Sequence, residues 1–204
     1  MKTILRAEDL ASISLPLPAI CGIDEAGRGP LAGPVCAAAV VLPSDFPLKV
    51  LDDSKALNPK QRENAYEIIK RKALDWSVGW ATWEEIGHIN ILMASLLAMR
   101  RAYLALSLEV DLVLVDGNRC PDLERPSFGL IGGDALQPSI MAASIMAKVS
   151  RDRLMLRLDR IQPEYGFIHH KGYPTREHRK AILKYGPSLW ARPGFASPTE
   201  KEPR

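Results

Sequence analysis

Asp24-Glu25-Ala26-Gly27-Arg28-Gly29-Pro30-Leu31-Ala32-Gly33-Pro34-Val35 is the stretch on which the reading of the fold turns. Just before it, Ala19–Asp24 is a short apolar run ending in charge, the pattern of a buried strand. Just after it, Val35–Leu42 is a second strand, rich in Val and Ala and closed by Pro43. Two carboxylates therefore end a buried strand, and a glycine-rich loop with one arginine follows at once. An unpaired buried carboxylate is costly, so acids in this position need a reason. The ordinary reason is a turn, where Asp and Gly are common.

The pattern recurs downstream. Leu112-Val113-Leu114-Val115 runs into Asp116-Gly117, and Phe128–Ile131 runs into Gly132-Gly133-Asp134. One acid at a strand end is a turn; three point to a shared site, because ligands of α/β folds gather at the carboxyl ends of strands. Hard oxygen ligands suit Mg²⁺ or Mn²⁺ rather than zinc. Clustered carboxylates would repel a phosphodiester unless divalent ions neutralise them. Two ions about 3.5–4 Å apart would activate a water and stabilise the leaving oxygen. Asp24 and Glu25 are adjacent, and neighbours on a regular strand face opposite sides. Both reach one site only if the strand ends or bulges there, which Gly27 and Gly29 permit. The loop is no nucleotide P-loop, since it lacks the Gly-Lys-Ser/Thr ending and a following helix. It offers backbone N–H groups, with Arg28 beside them, to a sugar-phosphate.

Farther out, Asn58 is a good N-cap, with Pro59 at the first helical position and Gln61 at capping-box spacing. Trp76–Thr82 reads as a strand, and Trp83–Leu108 as one or two helices with Gly87 as the joint. Ser139–Ile161 reads as a long helix. Ile140, Ala143, Ala147, Leu154, Leu158 and Ile161 give it one apolar face, and Pro163 ends it. Thr175–Tyr185 is a last short helix. The strands begin as a meander and later alternate with helices, which predicts an α/β domain with a mixed sheet.

Composition adds bounds. The 204 residues are 47% hydrophobic and 25% charged, ordinary for a globular chain. The net charge of +3 suits a polyanionic partner without demanding one. Cys21, Cys36 and Cys120 are odd in number and show no C-x-x-C spacing. Neither a disulfide framework nor structural zinc is expected, and a reducing compartment fits. Residues 1–18 carry Lys2, Arg6, Glu8 and Asp9 without an apolar h-region, so no signal peptide is expected. The longest apolar stretch, Ile89–Met99, is far short of the roughly 20 residues that span a bilayer. A cytoplasmic protein without a membrane contact is the expectation.

Taken together, the acid and glycine blocks resemble ribonuclease HII, of the type 2 ribonuclease H family. The residue 24–35 stretch is similar to that family's signature, Asp53-Ser54-Lys55 to its second block and Asp116-Gly117 to its third. Gly133-Asp134 followed by Ala143–Val149 and Arg151-Asp152 resembles the fourth. Tyr165-Gly166-Phe167 with His170–Thr175 resembles the fifth, and the blocks keep family order across residues 19–187. The resemblance implies a ribonuclease H-like fold, a mixed five-stranded sheet flanked by helices, with a short C-terminal helical segment. Residues 1–18 would be a lead-in, 19–162 the catalytic domain, 163–187 a substrate-contacting helical segment and 188–204 a loose tail.

The resemblance also implies roles. Asp24, Glu25, Asp116 and Asp134 would be the catalytic carboxylates holding two Mg²⁺ or Mn²⁺ ions. Gly27, Arg28 and Gly29 would contact the ribose 2′-hydroxyl, and Tyr173 would pack against the next sugar. The substrates would be RNA–DNA hybrid and duplex DNA carrying single ribonucleotides, cut 5′ to the ribonucleotide to leave a 3′-hydroxyl and a 5′-phosphate. Lys55 and Lys148 are the expected phosphate contacts, with Ser144 on the same helix face as Lys148.

Several residues invite blander readings. Arg151 and Asp152 read as a structural ion pair, and Tyr165 as packing. His169, His170 and His178 fit no zinc spacing and are expected to contact nucleic acid or face solvent. Ala191-Arg192-Pro193-Gly194-Phe195 departs from the family's His-Arg-x-Ser-Phe-like ending. The tail shows no aromatic pair preceded by Gln, so no sliding-clamp motif is expected, and a monomer is. Three rivals stay open. The sister group, ribonuclease HIII, normally carries an extra N-terminal domain, where this chain has about 18 residues before its first strand. A binding module without catalysis would have replaced one of the four acids. A junction resolvase on the same fold would need neither the Gly-Arg-Gly loop nor Tyr173.

Overall fold

The computed structural model describes residues 4–5, 19–51 and 57–195. The Asp53-Ser54-Lys55 block, and with it Lys55, lies outside the described residues. The strands are β1 (Ile4–Leu5), β2 (Ile20–Ala26), β3 (Val35–Val41), β4 (Asp75–Ala81), β5 (Leu112–Asp116) and β6 (Ser127–Leu130). The helices are α1 (Pro59–Lys72), α2 (Trp83–Leu104), α3 (Gly133–Leu136), α4 (Pro138–Ile161), α5 (Phe167–His170) and α6 (Arg176–Tyr185). The sheet order is β1-β6-β5-β2-β3-β4. β2, β3 and β4 form an antiparallel meander, and β5 and β6 add on parallel to β2. These five strands are the mixed sheet anticipated from the sequence. The lead-in contributes more than expected, because Ile4 and Leu5 pair parallel with Gly129 and Leu130 at the sheet edge.

All seven residues of β3 are buried. That is why the strand reads as a continuous Val/Ala run rather than an alternating one. Ala37, Ala39 and Val41 face one side with Ala94, Ala98 and Ala102 of α2. Cys36, Ala38 and Val40 face the other with Ala142, Ala143, Met146 and Ala147 of α4. Two glycines set how close the helices come. A Cβ on Gly22 would lie 2.2 Å from the Ser139 carbonyl carbon of α4, and one on Gly79 would lie 2.2 Å from the Ala98 carbonyl oxygen of α2.

The expected cap is present. Gln61 N–H donates to Asn58 Oδ1 at 3.0 Å, and Asn58 N–H donates to Gln61 Oε1 at 2.9 Å. In α2 the joint is Asn90 (φ 65°, ψ 167°) rather than Gly87, and the helix ends at Leu104 rather than 108. Asn90 tolerates positive φ, and its Oδ1 accepts the N–H groups of Leu92 and Met93, starting the helix afresh. Gly87 serves another end: a Cβ there would lie 2.7 Å from Pro193 Cγ.

That contact belongs to a second correction. The tail expected to be loose from residue 188 is packed as far as Phe195. Gly33 N–H donates to Trp190 O at 2.8 Å and Arg192 N–H to Leu31 O at 2.9 Å. Trp190 packs with Ala32, Met155 and Phe167 in a cluster that needs this segment to exclude water. No described helix is long and apolar enough to cross a membrane.

Candidate active site

Pairing between β2 and β5 stops at Ile23 and Val115, while pairing between β2 and β3 continues regularly to Ala26. Asp24 and Asp116 are therefore the first residues past the last paired rung of neighbouring strands. No bulge is needed. Asp24 is buried, accepts the Glu25 N–H at 2.7 Å, and is hydrogen-bonded by Ser144 of α4. Burial, then Glu25 and Asp116, hold its carboxyl well above the usual carboxylate range. Burial also raises Glu25, opposed by Arg28, whose Nη1 lies 3.3 Å from Glu25 Oε1. Asp116 Oδ1 accepts the N–H of Asp134 at 3.2 Å, where β6 hands over to α3. The four acids delivered by three strand ends thus converge on one end of the sheet.

Their chemistry fits a divalent ion. The set is all oxygen, and it is crowded enough to oppose its own ionisation, which a divalent cation would relieve. Among the described residues no three acids stand ready as a cage, and Glu25 is turned to Arg28.

Beside the acids lies a cleft of about 420 Å³, lined by Glu25, Gly27, Arg28, Gly29, Ser144, Lys148 and Tyr173. Except for Lys55, every residue expected to touch substrate is here. Arg62 of α1 joins them and was not singled out from sequence. Its signal was legible: the first turn of α1 holds no acid, and a cation there opposes the helix dipole.

A family model for ribonuclease HII matches residues 21–196. The chain belongs to the ribonuclease HII family. The ribonuclease HII of Moorella thermoacetica is 51% identical over 176 residues, 86% of this chain and 85% of that protein. Among solved structures, the ribonuclease H2 of Pyrococcus horikoshii matches with a TM-score of 0.71 and 27% identity, over 85% of this chain and 92% of that one. Bst-RNase HIII in complex with Mn²⁺ matches with a TM-score of 0.62 over 85% of this chain and 72% of that one, but is only 18% identical, a likeness of fold alone. Sequence likeness thus favours HII over the HIII sister group. Membership carries ribonuclease H activity on RNA–DNA hybrids and dependence on divalent metal.

In this ribonuclease HII the remaining polar residues mostly hold main chain. Arg151 does not form the expected ion pair with Asp152. It is buried and donates to the carbonyls of Ala32, Pro34 and Lys171, while Asp152 takes Lys148 Nζ at 2.8 Å. The cause is position: Arg151 sits on the side of α4 that faces the loop. Lys148 Nζ is also 5.9 Å from the Tyr173 ring centroid. His170 and His178 do not face solvent. Both are buried with rings stacked at 4.5 Å, packed against Phe167. The His178 ring nitrogen meets Tyr173 O at 3.0 Å, and His170 Nδ1 accepts the Gly172 N–H at 3.2 Å. They fix the turn that presents Tyr173. His169 is exposed, and Tyr165 is packing, its hydroxyl donating to Gly186 O at 2.9 Å.

Proposed function

We propose that this ribonuclease HII nicks duplex DNA on the 5′ side of a single embedded ribonucleotide, in addition to cutting the RNA strand of hybrids. The products are a 3′-hydroxyl and a 5′-phosphate, and the setting is removal of ribonucleotides from DNA in the cytoplasm. The observation that carries this reading is that the Gly27–Gly29 loop and Tyr173 line one cleft beside Glu25, with Gly29 next to the Tyr173 ring. The 2′-hydroxyl is the group that tells RNA from DNA, and a glycine backbone lets a sugar approach closely. Tyr173 is 38% exposed, so its ring is available to the deoxyribose that follows. Lys148, Ser144 and Arg62, together with Lys55, would hold the phosphates.

Asp24, Glu25, Asp116 and Asp134 would hold two Mg²⁺ or Mn²⁺ ions, which supply charge neutralisation at the phosphate and activation of water. Arg28 holds Glu25 in the cleft. Ser144 keeps Asp24 oriented.

The direct test is a DNA duplex with one ribonucleotide, incubated with Mg²⁺, with Mn²⁺ or with EDTA. One metal-dependent nick 5′ to the ribonucleotide is expected. Cleavage of a long hybrid without that nick would sink the junction reading. A second test uses Gly29→Ala. The added Cβ would sit 3.5 Å from the Tyr173 ring, ordinary contact that leaves the fold intact. It would nonetheless occupy the path of the sugar. The single-ribonucleotide rate is expected to fall about tenfold or more, with thermal stability unchanged.

A further inference from the structure

Arg151 and Arg192 are the two buried arginines among the described residues, and both lie under the Gly27–Pro34 loop. Every hydrogen bond described for their guanidinium groups ends on a main-chain carbonyl. Arg192 Nη2 donates to Gly27 O at 2.6 Å and Pro34 O at 3.2 Å, Nη1 to Arg28 O at 3.0 Å, and Nε to Gly33 O at 2.8 Å. Arg151 Nε meets the same Pro34 O at 3.0 Å, and its Nη1 meets Lys171 O at 3.0 Å. Burying like charges side by side is expensive, and burial lowers the pKa of both. Packing alone would be served as well by two apolar side chains. Some other property of the guanidinium is in use.

That property follows from peptide geometry. In a trans peptide the carbonyl of one residue and the N–H of the next point in opposite directions, and no described peptide is cis. Arg192 draws the carbonyls of Gly27 and Arg28 inward. The N–H groups of Arg28 and Gly29 are thereby turned outward, on the side where both residues line the cleft. A cation on the oxygen end of a peptide also polarises it and strengthens the donor at the other end. Gly27 makes the turn possible with φ +101°, a conformation that other residues rarely adopt.

We infer that Arg192 is a positioning residue for ribose recognition, fixing and polarising the Arg28 and Gly29 N–H donors that face the sugar. The inference rests on the proposed reading of the Gly27–Gly29 loop. Arg151 does the complementary work. Through Lys171 O, and with Leu31 N–H on Gly172 O at 2.8 Å, the loop is tied to the turn that carries Tyr173. The ribose-reading backbone and the ring across the cleft are held at a fixed separation. Arg192 holds four carbonyls in the fixed plane of its guanidinium, which the three donors of a lysine ammonium on a single nitrogen cannot match.

The test compares Arg192→Lys with the parent enzyme by equilibrium binding in Ca²⁺ in place of Mg²⁺, so that cleavage does not intervene. Two duplexes are used, identical except that one carries a single ribonucleotide. Arg192→Lys is expected to unfold cooperatively at a lower midpoint and to bind the all-DNA duplex within about twofold of the parent. Its preference for the ribonucleotide duplex is expected to fall about tenfold, the scale of losing a charge-assisted hydrogen bond. A merely structural role would weaken both duplexes alike and leave the preference intact, which would overturn the inference. Arg192→Gln keeps one amide donor in place and supplies the same comparison should the lysine variant not fold. Gly29→Ala separates the two readings. If it retains the parent's preference, the loop reading itself is wrong; if it loses preference while both Arg192 variants keep it, only the role of Arg192 is wrong.

Discussion

Asp24→Asn is expected to lose cleavage by at least about a thousandfold while unfolding at a higher temperature than the parent in the absence of divalent ions. The opposed signs come from one cause. Asp24 is buried beside Glu25 and Asp116, and these together hold its carboxyl above the usual range. A folded-state pKa above the unfolded value of about 3.9 means that the linked stability is full at acid pH. It is lost as pH rises through the folded value. At neutral pH the unliganded site is therefore a net cost, and asparagine removes the charge while keeping the shape. The gain is expected as a rise of a few degrees in the unfolding midpoint. It should shrink as the pH is lowered toward the unfolded value. Mg²⁺ should raise the parent's midpoint and leave that of the variant nearly unmoved. Melting curves with and without Mg²⁺, across pH, read all of this. A variant less stable than the parent at neutral pH without metal would mean that the acids are not crowded as described.

The acids were legible because they break a rule in plain sight. A charged residue at the end of Leu112–Val115 or of Ala19–Ile23 stands out against the apolar run before it, and three such ends cannot all be accidental turns. The cap at Asn58 was legible for a similar reason, since its donors and acceptors are a few residues apart. What stayed hidden depends on contacts distant in sequence. Arg192 reads as one more cation in a Pro-rich tail until it is found beneath a loop more than 150 residues earlier. His170 and His178 look like surface histidines until their rings stack against Phe167. Arg151 and Asp152 are neighbours of opposite charge, yet adjacent helical residues point about 100° apart, so each found a different partner. The kink in α2 went to Asn90 because its side-chain oxygen accepts the first N–H groups of the helix it restarts, an acceptor that glycine lacks.

Gly22→Ala is expected to be among the most damaging single-methyl changes in the described residues, and nothing local in the sequence marks it. Gly22 sits mid-strand in β2, paired to Val40 on one side and Leu114 on the other. A Cβ there would stand 2.2 Å from Ser139 C, 2.3 Å from Ile140 N and 2.5 Å from Ser139 O. All three atoms are backbone, so no rotamer change can make room. Either β2 leaves the sheet plane or α4 lifts away from it. Overpacking of this kind costs about 3 kcal/mol, or roughly 6–12 °C in the unfolding midpoint. The functional loss should exceed what the unfolded fraction explains. α4 also carries Ser144, which holds Asp24, and Lys148, and a shift of about 1 Å in such groups can cost about a hundredfold in rate. Gly186→Ala is the control. Gly186 has φ +80° and ψ −171°, a region essentially reserved for glycine, but nothing within 4 Å of its added Cβ, so it should show backbone strain of about 1–3 kcal/mol and full activity once folded. Equal losses of activity in the two variants at the same folded fraction would mean that lost stability alone, rather than the closeness of α4 to β2, accounts for the effect at position 22.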